Sequence, residues 1–143
     1  MSYTNAVVVP LSYEEAVRRT REALAEQGFG ILTEIDVRGT FEKKLGAEAA
    51  ENVGDYVILG ACNPSLASKA LAAEPEMGAL LPCNVVVRRG KDAGSTTVEA
   101  IDPQTMVQLS GTAAVQEVAD DAGTRLRAAL AALGGEPGGG RPQ

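Results

Sequence analysis

Two runs rich in β-branched residues, Cys83 to Arg89 and Ser95 to Ile101, flank the loop Gly90–Gly94 and constrain the fold more tightly than any other stretch. Such runs joined by a short glycine-bounded loop form a β-hairpin. Successive side chains of a strand point to opposite faces, so a slip of one residue exchanges the two faces. If paired positions sum to 185, Cys83, Val85 and Val87 share a face with Val98 and Ala100. A slip of one would set Thr97 and Glu99 against those valines. The first register is therefore expected, and with it a sheet whose apolar face needs a cover.

The remaining chain supplies that cover. Ala6–Val9 is a short, wholly apolar run suited to a buried strand. Ser12 followed by Glu15 forms a capping box, worth about 1 kcal/mol. Tyr13, Ala16, Val17, Thr20 and Leu24 then recur at helical spacing, and Gly28 and Gly30 close the helix. From Ile31 to Val37 the pattern alternates, with Ile31, Ile35 and Val37 expected on one face and Glu34 and Asp36 on the other. Thr40 is expected to cap a short helical turn reaching Leu45. Tyr56–Ala61 reads as a central strand, and Asn63-Pro64 as a cap and first residue of a helix. Asp102-Pro103 repeats that device before a short helix, and Thr112 begins the last long one, striped with Val115, Val118, Ala122, Leu126 and Leu130. The expected fold is α+β: an antiparallel-rich sheet of four or five strands with helices mainly on one face, in the order β-α-β-β-α-β-β-α. Residues 1–133 are expected to form one domain, and 134–143, rich in glycine and proline, a flexible tail.

Function is bounded mainly by exclusion. The 143 residues contain no histidine, which removes the commonest general base, the commonest metal ligand and every Ser-His or Cys-His pair. A net charge of −6 offers no basic surface for phosphates, so no nucleic-acid partner is expected. No apolar run reaches the roughly 20 residues a membrane helix needs, and the N-terminus has no signal-peptide pattern. Two cysteines without a CxxC spacing do not form a disulfide framework, so a cytoplasmic protein with reduced thiols is expected.

Several strings resemble a known family. Gly60-Ala61-Cys62-Asn63-Pro64, the run from Ala73 through Gly78 into Leu80–Val87, and Ile101-Asp102-Pro103 are similar to the prokaryotic family called domain of unknown function 302. Gly28-Phe29 and Glu34-Ile35-Asp36 fit its earlier part, and the likeness spans residues 3 to 133. The resemblance implies a compact α+β fold, often dimeric, and brings no established activity.

Candidate site residues gather at two places. Cys62, Asn63, Cys83, Asp102 and Met106 fall at strand ends and helix starts, and this edge is where a ligand is expected. Two thiols, with Met77 or Met106, could bind a soft cation such as Cu(I), or act as a redox pair. Against that, each cysteine suits a small buried apolar position, and Asn63 and Asp102 are fully explained as caps. The thiols meet only if the strands after Tyr56 and Cys83 run antiparallel; parallel strands would hold them about 20 Å apart. Glu34 and Asp36 offer an acidic pair that reads as a solvated strand face. The reading favoured is a non-enzymatic small-ligand-binding or assembly module. It is expected to be a homodimer, because Val86, Ile101 and Leu32 fall on the face turned away from the helices. The alternative is a thiol-based redox or soft-metal protein using Cys62 and Cys83. The cofactor is left open.

Overall fold

A computed structural model describes residues 2–138. The elements run β1 (Thr4–Val9), α1 (Tyr13–Glu26), β2 (Gly30–Asp36), α2 (Val37–Leu45), α3 (Ala47–Val53), β3 (Asp55–Cys62) and α4 (Pro64–Ala73). After a 3-10 helix, Pro75–Leu80, follow β4 (Cys83–Arg89), β5 (Thr96–Ile101), α5 (Gln104–Ser110), α6 (Ala113–Ala132) and β6 (Glu136–Gly138). The strands form one sheet in the order β2-β3-β4-β5-β1-β6, and every neighbouring pair is antiparallel.

The hairpin adopts the register that its apolar pattern demands. Val85 faces Ala100 and Val87 faces Val98. In the next ladder Val87, Val85 and Cys83 face Val57, Leu59 and Ala61. One sheet face is thereby carpeted with small apolar groups. It packs on Ala16 and Leu24 of α1 and on Leu126 and Leu130 of α6, forming the main core. Burying each such leucine contributes about 2 kcal/mol. A second cluster joins Leu66 and Ala70 of α4 to Met77, Met106, Val115 and Val118.

The sheet has six strands, where four or five were expected. The sixth comes from the segment read as a tail: Glu136–Gly138 pairs with Val8–Ala6 of β1. Extended backbone in a glycine-rich segment carries no apolar alternation, so its pairing depends on main-chain hydrogen bonds and is invisible to hydrophobic patterning. Residues 139–143 of that segment lie outside the described residues.

Three further differences concern the edge strand and its sequel. The register of β2 against β3 shifts between Ile31 and Thr33, leaving Leu32 as an extra residue in the ladder. This bulge exchanges faces along the strand. Ile31 sits opposite Ala61 on the helix side, whereas Ile35 sits opposite Ile58 on the other. Glu34 and Asp36 consequently face the helix side, opposite Leu59 and Val57, and both remain exposed to solvent at the sheet edge. The strand also ends one residue early: Val37 opens α2, capped by Asp36, whose Oδ1 accepts from the Gly39 N–H at 3.0 Å. Thr40 lies within that helix, its hydroxyl donating to the Asp36 carbonyl at 2.8 Å. α3, a seven-residue helix bounded by Gly46 and Gly54, was not anticipated.

Candidate functional site

Three regions carry chemistry. The first is the sheet end at which β3 stops and β4 begins. Pro75–Leu80 and the cis Leu81–Pro82 bond bring the chain back so that β4 starts beside the end of β3. Cys62 and Cys83 therefore lie at the same end of the sheet. They are offset by one step, because the residue facing Cys83 is Ala61. By the alternation of the ladder Cys83 turns to the helix side with Ala61, and Cys62, the terminal residue of β3, turns the other way. Burial agrees: Cys83 is 7 % exposed, whereas Cys62 is half-buried. Burial, reinforced by the nearby Cys62, pushes the Cys83 thiol up to about 11, so it stays protonated and poorly nucleophilic at neutral pH.

A cavity of about 30 Å³ sits beneath this end, bordered by Phe29, Cys62, Asn63, Cys83 and Met106 among mostly apolar neighbours. That volume admits one water-sized group and no organic molecule. A second cavity of about 50 Å³ lies across Cys83 and Met106, toward Ile101 and Leu109. Asn63 caps α4, its Oδ1 accepting from the Leu66 N–H at 3.2 Å. Asp102 borders neither cavity. Its Oδ1 accepts from the Gln104 N–H at 3.0 Å, and its own N–H donates to the Tyr3 carbonyl at 2.8 Å. Four of the five expected residues thus come together, and Asp102 stands apart from them.

The second region is an open cleft of about 540 Å³ bordered by Tyr13, Glu14, Glu34, Asp36, Arg38 and Asp55. Four of its charged groups are engaged. Glu34 pairs with Arg21, Asp36 caps α2, and Arg38 Nη1 lies 3.0 Å from Asp55 Oδ1. The Tyr13 phenol is pushed up to about 12, first by burial and then by Asp55, Asp36 and Glu14. Among the described residues, no group of three or more cysteine, aspartate or glutamate side chains is placed to hold a metal ion.

The third region is the sheet face turned away from α1 and α6. It carries Ala6 and Val8 of β1, Ile35 of β2, Tyr56 and Ile58 of β3, Val86 and Arg88 of β4, and Thr97 and Glu99 of β5. Apart from Glu99, each of these is half-buried or exposed. A groove of about 220 Å³ runs between Tyr3 and Tyr56 over Val86, Glu99 and Ile101. Glu99 is 8 % exposed despite lying on this face. Arg88 Nε donates to its Oε1 at 2.7 Å, and the Thr4 hydroxyl donates to Oε2 at 3.2 Å. From the hairpin pattern alone, Glu99 is expected only as an outward polar position. The signal was present, since the register that opposes Val86 to Glu99 also sets Arg88 diagonally beside it on the same face.

A family model, "Domain of unknown function DUF302", matches residues 5–133. The crystal structure of an uncharacterized conserved protein DUF302 from Bacillus stearothermophilus is similar to this chain, with a TM-score of 0.80 and 29% sequence identity. The match covers 92% of this chain and 98% of that one. No curated protein matches. No helix among the described residues is long and apolar enough to cross a membrane.

Proposed function

The chain belongs to the DUF302 family, and from that premise we propose that it is a non-enzymatic assembly module, working in the cytoplasm as a homodimer whose uncovered sheet face is closed by a second copy. One observation carries this reading. A six-stranded sheet has one face packed on helices, while the other presents Ala6, Val8, Ile35, Ile58 and Val86 beside an open groove. Contiguous apolar patches of this kind mark interaction surfaces. Five full strands at about 4.8 Å spacing and about 20 Å length give a face of roughly 500 Å² per copy, so two faces together reach the ~1,000 Å² that a specific interface needs. The charge on this face is balanced, because Arg88 and Glu99 pair with each other. A face whose charges cancel and whose apolar side chains lie uncovered suits a copy of itself. The acid-base candidates support a non-enzymatic role, since Glu34, Asp36 and Asp55 are already committed to Arg21, the α2 cap and Arg38.

Light scattering at micromolar concentration is expected to give twice the 14.8 kDa chain mass. Val86→Lys should return a folded monomer, since it sets a charge in the middle of the contact. A wild-type monomer would overturn the reading.

The shared cavity of Cys62, Cys83 and Met106 favours a second reading, a site for one soft cation of the Cu(I) type. Its volume suits a single ion. Anaerobic Cu(I) titration against a colorimetric chelator tests it. Stoichiometric binding that disappears in Cys83→Ala is required, and retention of all copper by the chelator would remove this reading.

A further inference from the structure

The Arg88–Glu99 pair has a placement that its role within one chain does not explain. β4 and β5 are the third and fourth of six strands, so the pair lies at the middle of the sheet's width. Around it the face carries Ala6, Val8, Ile58, Val86 and Thr97, with the Tyr56 phenol opposite Arg88. The Glu99 carboxylate is nearly out of solvent, yet it accepts only one bond from the guanidinium and one from Thr4. Arg88 uses Nε alone, and its two terminal amino groups have no hydrogen-bond partner among the described residues. Its side chain is still 41% exposed. A guanidinium presents five N–H donors in a fixed fork, so the four on the terminal nitrogens are left for an acceptor on whatever closes the face.

Resting on the homodimer reading, we propose that this pair sets the register of self-association: Arg88 of each copy reaches the Glu99 carboxylate of the other across a twofold contact. An isologous contact centred on the sheet brings β4 and β5 of one copy against those of the other, so each pair meets its own counterpart. A contact made only of alanine, valine and isoleucine could slide at little cost. A central polar pair that must be matched on closure forbids the slipped arrangements, because they would bury the terminal N–H groups of Arg88 against apolar side chains with no acceptor.

Charge reversal on separate chains tests this. Arg88→Glu and Glu99→Arg each place like charges across the twofold contact, so neither should form homodimers. Mixed together they are complementary, and the mixture should form a heterodimer, read by sedimentation velocity with one chain fluorescently labelled. Circular dichroism confirms that each variant is folded. Arg88→Gln, which removes the charge and keeps the size, should weaken the wild-type dissociation constant by roughly 30-fold or more, and it serves if either reversal fails to fold. Unchanged dimerisation of the single variants, or folded variants that stay monomeric when mixed, would overturn the proposal while leaving the homodimer intact. A monomeric wild type would overturn both.

Discussion

Single residues in this protein are best understood by the face on which the ladder places them. Cys62 and Cys83 are a single ladder step from being partners, and that step separates their chemistry. Cys83 belongs to the buried carpet of small apolar groups, and Cys62 to the rim of the sheet. In the native protein iodoacetamide should therefore modify Cys62 first, with Cys83 reacting only on unfolding. Equal labelling rates, read by peptide mass spectrometry, would contradict the burial difference. Burial of the Cys83 thiol also makes stability depend on pH. Its folded-state pKa of about 11 lies above the ordinary 9.0. Its contribution to stability is thus complete below about pH 9 and lost as pH rises toward 11. Cys83→Ala should cost about 1 kcal/mol at neutral pH and lose less on going to pH 11 than the wild type does. Gly60 makes the complementary case. A Cβ there would press on the Thr33 hydroxyl and come within 2.9 Å of Pro82 Cγ. Gly60→Ala is expected to destabilise by about 1–3 kcal/mol in denaturant melts, and an unchanged midpoint would show that Thr33 and Pro82 yield freely.

At the scale of elements, what could be read from the sequence and what could not divide along physical lines. The hairpin register was legible because a slip would bury Glu99 and Thr97 against valines, a large and local penalty. Helix starts were legible at Ser12 and Asn63 because capping chemistry is local too. The bulge at Leu32 was hidden: alternation over seven residues looks continuous when one residue simply drops out of the ladder. β6 was hidden for a different reason, since a Gly-Glu-Pro-Gly segment gains its place from main-chain pairing with β1. The candidate site was half legible. Asn63, Cys62, Cys83 and Met106 converge as their positions at element ends suggested, whereas the groove over Glu99 depends on which face lacks helices, and that is a property of the assembled sheet. Capping can be tested directly. Asn63→Ala should remove about 1 kcal/mol, while Asn63→Ser, which keeps an acceptor, should remove much less. Equal losses in urea melts would mean that Asn63 acts through the nearby cavity and not through the Leu66 N–H.

For the molecule as a whole, the decisive asymmetry is between the two faces of one sheet. α1 and α6 cover the carpet of Val57, Leu59, Val85, Val87 and Val98, and the described residues place no comparable layer over Ile58, Val86 and Thr97. If a second copy supplies that layer, folding and association are one equilibrium, and stability must depend on concentration. Unfolding entropy near 2.1 cal/mol/K per residue gives about 0.6 kcal/mol/K for a pair of chains of this length, and a tenfold change in concentration is worth about 1.4 kcal/mol, so the melting temperature should rise by about 2 °C for each tenfold increase. Val86→Lys, which leaves the helix-covered face untouched, should abolish the slope and lower the midpoint toward that of the isolated chain. Differential scanning calorimetry over two decades of concentration decides the matter. A flat wild-type profile would mean that the face stays open, and that the chain is stable on the strength of its one covered face.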